Sequence, residues 1–219
     1  MSEDLTVKGI ILKTSQYGEY GRRMVMLTDK LGKVTAFAGG ASKASSKIIG
    51  STRPMVCAEF NLMKGRGGWN LHGVDIIDSF EDLAFDIDKS MMSMYILEYA
   101  EYFAQEGMIA EEAKAVLNLI YVTLLAIRAG EKKLNLIRRI YELKMLVIEG
   151  EYPELPPYTD NKNVADLWRY VTASSLSRLY TFSEEAGDVA ESSFINEVNA
   201  LVNRQIPHRF KVLDVLREL

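Results

Sequence analysis

Residues 34–63 read VTAFAGGASKASSKIIGSTRPMVCAEFNLM. Two apolar runs, at residues 34–38 and 55–63, are rich in the side chains that favour strands, and the second alternates apolar and polar positions. They enclose a long loop of small and polar residues whose only charges are basic, and no Asp or Glu occurs between residues 30 and 58. The segment predicts a mobile cationic loop held between two strands. Glycine- and serine-rich loops with a few lysines are also common as plain solvated connections, so composition leaves that alternative open.

Three further strands are predicted around this segment, at residues 5–13, 23–28 and 69–77. Glycine-containing turns at residues 29–33 and 64–68 join strands that are close in the chain, as in β-hairpins. Five short strands in about 75 residues, with the longest loop between the third and the fourth, are typical of a small closed β-barrel. The leading candidate is the OB-fold, a five-stranded barrel whose loops beside one face bind oligonucleotides.

The period of the apolar residues changes from two to that of a helix near residue 79. Leu83, Ile87 and Met91 recur at helical spacing, and glycines mark the ends of the first three helices. Prolines at positions 153, 156 and 157 then predict a loop. The first predicted helix begins near residue 79, with Glu81, Asp82 and Asp86 in its first turns, and ends at Gly107. The later predicted helices cover residues 110–129, 132–149, 164–173, 175–180, 193–204 and 210–216. The fold class is therefore α+β, with an OB-fold nucleic-acid-binding domain at residues 1–79 and an all-α domain at residues 80–219.

Charge is distributed unevenly between these two parts. The chain has 219 residues, 48% hydrophobic and 26% charged, which is typical of a globular protein with a substantial core. Its net charge is −4. Residues 1–78 contain 11 Lys or Arg and 7 Asp or Glu, a balance of +4, and the remaining 15 and 23 give −8. A basic barrel is therefore predicted next to an acidic helical region.

Residues for catalysis or metal binding are scarce. A single cysteine, Cys57, and two histidines, His72 and His208, provide neither an intramolecular disulfide nor a cysteine-rich zinc site. No base is placed beside a nucleophile by the sequence, and the glycines at 65–68 lack the Lys-Ser/Thr of a P-loop. We expect no enzyme, no cofactor and no metal. The start of the chain does not resemble a secretion signal, and the apolar run at 116–127 is shorter than a membrane span. A cytoplasmic protein is expected.

Basic residues on the barrel loops and strands are the candidate DNA contacts. OB-folds bind single strands through a cationic groove together with aromatic side chains on which bases stack. The aromatic candidates are Tyr17, Tyr20, Phe37 and Trp69, although each of these residue types is more often found in a core. The predicted DNA-binding residues are Arg22, Arg23, Lys33, Lys43, Lys47, Arg53, Lys64 and Arg66.

The third predicted helix contains a second group of basic residues within the acidic part of the chain. Its members are Lys132, Lys133, Arg138, Arg139 and Lys144. A basic helix beside apolar surface can bind an acidic peptide that ends in a carboxylate. Arg138 and Glu142, four residues apart, can instead form an ordinary surface ion pair, and composition favours that alternative.

Several short motifs together resemble the RecO family of recombination mediators. They are residues 9–14 (GIILKT), 17–19 (YGE), 27–33 (LTDKLGK), the loop at 39–46, and 64–67 (KGRG), in that order and spacing. Residues 139–144 (RIYELK) are similar to that family's Arg-x-aromatic-Glu-Leu helix, and residues 209–216 (RFKVLDVL) to its last helix. Many relatives have a four-cysteine zinc module after the former helix. Residues 151–163 contain no cysteine, so we expect a variant without that module.

The resemblance implies a non-enzymatic protein that binds single- and double-stranded DNA and anneals complementary strands. It also implies cooperation with RecR, so that RecA is loaded onto DNA coated by single-stranded-DNA-binding protein during recombinational repair, in the cytoplasm and at the nucleoid. The C-terminal tail of that coating protein would bind at Arg139, with Leu143 and Lys144 beside it. The alternative is a protein–protein adaptor that combines the same barrel and helices with little direct nucleic-acid binding.

Overall fold

The computed structural model describes residues 4–41, 48–65, 67–182 and 187–218. Strands occupy the first third of this part of the chain and helices the rest, with short 3-10 turns between some of them. The strands are β1 (Asp4–Tyr17), β2 (Gly21–Thr28), β3 (Gly32–Ala38), β4 (Cys57–Gly65) and β5 (Gly68–Asp78). The helices are α1 (Ile87–Phe103), α2 (Ala110–Ala129), α3 (Leu134–Ile148), α4 (Lys162–Ala173), α5 (Gly187–Gln205) and α6 (Lys211–Glu218).

The five strands form a closed barrel in the order β1-β2-β3-β5-β4, with β4 paired back onto β1. Neighbouring strands are antiparallel except β3 and β5, which are parallel. This arrangement confirms the predicted OB-fold barrel followed by helices. Closure of the sheet also means that the barrel has no open sheet edge.

Strand β1 belongs to both sides of the barrel. Its first part, from Asp4 to Ile10, pairs with β4, whereas its second part, from Gly9 to Tyr17, pairs with β2. A β-bulge shifts the register between Ile11 and Lys13, and a bulge bends a strand and increases its twist. The bend lets one strand turn the corner of the barrel, which explains why β1 is longer than the predicted strand at 5–13.

The barrel interior is filled by side chains from every strand. Phe60, Met24, Met26 and Ile11 have no exposed surface, and the partly buried Trp69 packs against the same cluster. Burying each large apolar side chain contributes about 1.5–3 kcal/mol. The two-residue alternation seen in the sequence therefore corresponds to an inward and an outward face of the strands.

The start of the first helix differs from the sequence prediction. Helical spacing begins at Leu83, but a 3-10 turn covers Glu81–Phe85 and α1 begins only at Ile87. The side chain of Asp86 accepts hydrogen bonds from the backbone amides of Asp88 and Lys89, at 3.0 and 3.1 Å. Such an N-cap satisfies amides that have no partner within the helix, so the cap determines where the helix begins.

The later helices agree more closely with the sequence. The structure confirms α2 at the predicted residues 110–129 and places α3 within the predicted 132–149. The short helix expected at 175–180 is a single 3-10 turn, Leu176–Arg178. The helix expected at 193–204 is part of a longer one, α5. None of the helices in the described part of the chain is long and apolar enough to cross a membrane.

The described residues divide into two compact units, one within Met1–Tyr121 and Val212–Leu219, the other within Val122–Lys211. The first unit contains the barrel with α1 and α6, and the second contains α3, α4 and α5. The second unit has its own core, in which the indole of Trp168 is fully buried with its ring centroid 6.2 Å from that of Phe194. The proposed division into domains between residues 79 and 80 stays a prediction.

Replacing Gly9 by alanine should destabilise the barrel at the corner formed by β1. A Cβ atom at Gly9 would lie 2.7 Å from the backbone oxygen of Leu27, whereas a Cβ atom at Gly73 would lie 3.5 Å from the Asn61 Cβ, an ordinary contact. We expect Gly9→Ala to lower the free energy of unfolding by about 1–3 kcal/mol, and Gly73→Ala to change it little. Chemical denaturation of both variants measures this difference, and equal stabilities would contradict the close approach.

The thiol of Cys57 should be unreactive in the folded protein. Cys57 is buried on β4, and this burial, with a smaller effect of Asp78, raises the pKa of the thiol from 9.0 to about 11. Because the thiolate is the reactive form, modification by a thiol reagent near neutral pH should be slow and should accelerate about tenfold per pH unit below that pKa. Unfolding in denaturant should make the reaction fast. Rapid modification of native protein at neutral pH would contradict the assigned environment.

Candidate nucleic-acid interface

A groove of about 700 Å³ runs along the barrel in the first unit, where β2, β3 and the start of β5 meet. It has an aromatic floor, basic residues along it, and a second wall contributed by the connection between α1 and α2. The lining residues used below are Arg23, Lys30, Lys33, Thr35, Phe37, Gly68, Trp69, Glu106, Gly107 and Met108.

The floor of the groove depends on the parallel pairing of β3 and β5. Phe37 pairs in register with Asn70, and Ala36 with Trp69, so the two aromatic side chains come from adjoining strands. The ring centroid of Tyr17 lies 4.6 Å from that of Phe37, and 55% of Tyr17 is exposed. Exposed and half-buried rings of this kind provide surfaces on which bases can stack.

Glycine is required at the strand crossing below this floor. Gly68 has a φ of +143°, and a Cβ atom there would lie 2.8 Å from the backbone oxygen of Thr35 and 3.1 Å from the Phe37 ring. An L side chain at position 68 is therefore excluded both by conformation and by space.

Two of the predicted DNA-binding cations lie beside the aromatic floor. Arg23 is exposed, and its Nη2 donates a hydrogen bond of 3.3 Å to the hydroxyl of Thr35. The Nζ of Lys64, also exposed, is 6.0 Å from the centroid of the Trp69 ring. The structure therefore brings together aromatic surface and positive charge, which single-strand sites combine.

Arg22 and Lys33 have different surroundings from Arg23. The Nη1 of Arg22 donates to the backbone oxygens of Ile49 and Thr52, at 3.2 and 3.3 Å, and to the Thr52 hydroxyl at 3.2 Å. It thereby fixes the end of the long β3–β4 connection to β2. The Nζ of Lys33 donates a hydrogen bond of 3.1 Å to the backbone oxygen of Glu101 on α1. Consecutive residues of a strand face opposite ways, so Arg22 and Arg23 do not act from the same surface.

The remaining predicted DNA contacts are divided between a second cavity and the undescribed residues. Arg53 is exposed and lines, with Arg22, a cavity of about 580 Å³ that also includes residues 14–16 of β1. Lys43, Lys47 and Arg66 lie outside the described residues. Their predicted contribution to DNA binding stays a prediction.

The second wall of the groove was not predicted from the sequence. Residues 105–107 form backbone hydrogen bonds with the β2–β3 hairpin. The backbone amide of Lys33 donates a hydrogen bond of 2.9 Å to the backbone oxygen of Gln105, and the amide of Gly107 donates one of 3.4 Å to the backbone oxygen of Leu31. Gly32 forms an isolated bridge with Glu106. No local pattern in residues 105–108 signals this contact, because backbone hydrogen bonds between distant segments have no side-chain signature.

The residues predicted to receive a partner tail are largely buried in the second unit. Arg139 is 6% exposed. Its Nη1 donates a hydrogen bond of 2.6 Å to a carboxylate oxygen of Glu142, and its Nη2 donates one of 2.7 Å to the side-chain oxygen of Asn199. The Nε of Arg138 donates a hydrogen bond of 2.8 Å to the other carboxylate oxygen of Glu142. Leu143 is fully buried. The ion pairing that the sequence offered as the simpler alternative is present, and it includes both arginines.

Lys144 closes the end of a neighbouring helix. Its Nζ donates to the backbone oxygens of Val171, Thr172 and Ser174, at 3.1, 2.9 and 2.7 Å. Carbonyls at a helix C-terminus lack intrahelical partners, so the ammonium group completes the end of α4. Burial lowers the pKa of Lys144.

The other basic residues of this region also have partners. Lys133 lies 3.3 Å from a carboxylate oxygen of Glu191. The Nζ of Lys132 donates a hydrogen bond of 3.0 Å to the backbone oxygen of Phe182 and lies 3.9 Å from the centroid of the Phe182 ring. The basic group predicted from the sequence is thus dispersed over several partners of the second unit.

The described part of the chain contains no cluster of metal ligands. No group of three or more His, Cys, Asp or Glu side chains there is close enough together to hold an ion. The segment around Pro153, where the resemblance implies loss of a zinc module, is fixed by a hydrogen bond of 3.1 Å from the Trp168 indole nitrogen to the Pro153 oxygen.

A family match and individual relatives both relate the chain to RecO proteins. Residues 1–80 match the family described as "Recombination protein O N terminal". The chain is 28% identical over 167 residues to the DNA repair protein RecO of Alkaliphilus metalliredigens, covering 76% of the chain and 67% of that relative. It is 34% identical over 149 residues to the protein of the same name from Shouchella clausii, covering 67% and 56%.

A third relative, the DNA repair protein RecO of Clostridium novyi, is 32% identical over 147 residues. That alignment covers 65% of the chain and 55% of the relative, so the chain spans little more than half of two of these three proteins. The family match at residues 1–80 includes the whole barrel that contains the groove. The chain belongs to the RecO family.

Proposed function

We propose that the chain is a non-enzymatic recombination mediator that binds single-stranded DNA and anneals complementary strands in DNA repair. The observation that carries the proposal is the groove lined by Arg23, Phe37 and Trp69, with the exposed Lys64 Nζ 6.0 Å from the centroid of the Trp69 ring. The names of the relatives support a role in DNA repair. Work on DNA would place the protein in the cytoplasm, at the nucleoid.

A groove of this kind suits a single strand better than an intact duplex. Unpaired bases expose ring faces that can stack on Tyr17, Phe37 or Trp69, whereas bases in a duplex are already stacked on one another. Phosphates would lie near Arg23 and Lys64. Arg53, which lines a separate cavity with Arg22, would contact other phosphates of single- or double-stranded DNA, and the same contribution is proposed for Lys43, Lys47 and Arg66. Two strands bound to such surfaces are held with less mutual repulsion, which favours annealing.

Reversing the two groove cations should weaken DNA binding and its dependence on salt. If roughly six phosphates are neutralised, affinity of the wild-type chain should fall by about three orders of magnitude between about 50 and 200 mM salt. The double variant Arg23→Glu, Lys64→Glu should bind a labelled oligonucleotide at least tenfold more weakly and reduce the logarithmic salt slope by about two. Fluorescence anisotropy titrations at several salt concentrations measure both quantities.

Lys114→Glu is the matched control for charge. Lys114 is exposed on α2 and does not line the groove, and its reversal changes the net charge by as much as each of the single variants Arg23→Glu and Lys64→Glu, with which it is compared. The control should retain the wild-type salt slope. A shallow slope for the wild-type chain, or equal losses for the groove variants and the control, would overturn the proposed binding site.

We further propose that the protein works with RecR to load RecA onto DNA coated by single-stranded-DNA-binding protein. The tail of the coating protein would bind at Arg139, with Leu143 and Lys144 in the surrounding structure. Supporting this, the buried Nε of Arg139 has no hydrogen-bond partner among the described residues. The buried Leu143 would stay in the core, and Lys144 would hold α4 in place. Because Arg139 is 6% exposed, an incoming carboxylate would have to displace the side chain of Asn199.

Arg139→Lys should weaken binding of a synthetic acidic peptide with a C-terminal carboxylate while sparing DNA binding. Lysine keeps the charge beside Glu142 but loses the planar fork that binds a carboxylate through two hydrogen bonds. We expect at least a tenfold loss of peptide affinity by calorimetry, with unchanged oligonucleotide affinity. Arg138→Lys changes the other partner of Glu142 and serves as the control. Loss of peptide binding in the control alone would assign the tail to Arg138.

A second candidate function, a protein–protein adaptor, is favoured by one other surface of the first unit. Phe85 and Ile87 are 89% and 64% exposed, and the exposed Asp86 and Asp88 alternate with them. Carboxylates repel DNA, so exposed apolar residues among them suit a protein partner. The titration of DNA at several salt concentrations separates the two functions, because an adaptor predicts weak binding in all of them.

A further inference from the structure

Among the described residues that line the groove, Glu106 is the one that carries a carboxylate. Glu106 is exposed and lines the groove together with Arg23, Phe37 and Trp69. It belongs to the connection between α1 and α2, whereas the cations and aromatic residues belong to the barrel. The groove therefore has one basic and aromatic side and one wall that contributes negative charge.

The backbone of this wall is fixed in place. The backbone amide of Lys33 donates a hydrogen bond of 2.9 Å to the backbone oxygen of Gln105, and Gly32 forms an isolated β-bridge with Glu106. A Cβ atom on Gly32 would lie 2.6 Å from the oxygen of Gln105, so the hairpin and the wall approach as closely as glycine allows. The position of the Glu106 backbone is therefore determined by main-chain contacts, and its side chain extends from a defined point.

Electrostatics determine which part of a nucleotide can lie next to Glu106. Two like charges about 4 Å apart repel by about 1 kcal/mol even in bulk water, so a phosphate is disfavoured at this wall. Lys30 and Lys33 also line the groove, but their ammonium groups donate hydrogen bonds to the backbone oxygens of Thr6 and Glu101. Phosphates are therefore attracted to the exposed Arg23 and to Lys64 beside Trp69. With the phosphates on that side and the rings over Phe37 and Trp69, the edges of the bases are what remains to approach the carboxylate.

A carboxylate accepts hydrogen bonds and donates none. Among the pyrimidines, cytosine presents an amino group, whereas thymine presents a carbonyl oxygen at the same ring position. The amino group of cytosine can donate to Glu106, and the thymine oxygen is repelled by it. The two bases have rings of similar size, so their difference at this wall is mainly one of hydrogen-bonding chemistry.

We propose that Glu106 gives the groove a preference for bases that carry an exocyclic amino group, with cytosine favoured over thymine. The inference rests on the proposed binding of single-stranded DNA and adds a preference among its sequences. Glu106 thus acts as a specificity-determining residue by offering an acceptor where a base edge lies.

Homopolymers test this preference directly. Oligo-dC and oligo-dT of about 12 nucleotides, within the ~4–16 nucleotides that an OB-fold site spans, are titrated onto the full chain in the same buffer. We expect the wild-type chain to bind oligo-dC about fivefold more tightly than oligo-dT. In Glu106→Gln, which can both accept and donate, the ratio should fall towards one and oligo-dT should gain affinity. In Glu106→Ala the preference should disappear.

Glu111→Gln is the matched control, because Glu111 is an exposed carboxylate at the start of α2 that does not line the groove. It removes the same charge and should leave the ratio of the two affinities unchanged. A wild-type ratio of one, or a ratio that Glu106→Gln and Glu106→Ala leave unchanged, would overturn the inference while the proposed function stands. Binding of neither oligonucleotide by the wild-type chain would overturn both.

Discussion

The parallel pairing of β3 with β5 is the constraint on which the rest of the first unit depends. It closes the barrel, and it places Phe37 and Trp69, which both line the groove, on adjoining strands. The pairing itself requires Gly68, because no other residue combines its backbone conformation with so close an approach to Thr35. The same short segment thus provides the closure of the core and the floor of the groove, so a substitution at Gly68 would disturb both.

Positive charge in this protein is divided between structural and available groups. Arg22, Lys33 and Lys144 each donate to main-chain oxygens and hold a loop, a helix or a helix end in place. Arg23 and Lys64, in contrast, are exposed beside aromatic rings. Counting basic residues in the sequence therefore overstates the charge available to a ligand. Whether a basic side chain is structural or available depends on whether a backbone carbonyl oxygen lies within hydrogen-bonding distance of it.

The barrel was predictable because its determinants are local. Alternation along β4, the glycines of the tight turns and the spacing of the strands each follow from a few neighbouring residues. The 3-10 turn before α1 was not predicted, because the apolar spacing starts at Leu83 whereas the N-cap that begins the helix is Asp86. The groove was predictable only in part. Arg23, Lys33, Phe37 and Trp69, all named from the sequence, line it, but the assignment of Arg22 to loop anchoring required coordinates, since neighbouring arginines on a strand look alike in sequence.

The wall that contains Glu106 joins the barrel through main-chain atoms, and this has a consequence for how the family can diversify. Backbone hydrogen bonds from Lys33 to Gln105 and from Gly107 to Leu31 do not depend on which side chains residues 105 and 106 carry. Substitutions there can change the side chains that line the groove while the scaffold stays in place. Gly32 has no such freedom, because the contact closes around it. Under the proposed function, evolution can alter base preference at position 106, provided that the glycine facing it is retained.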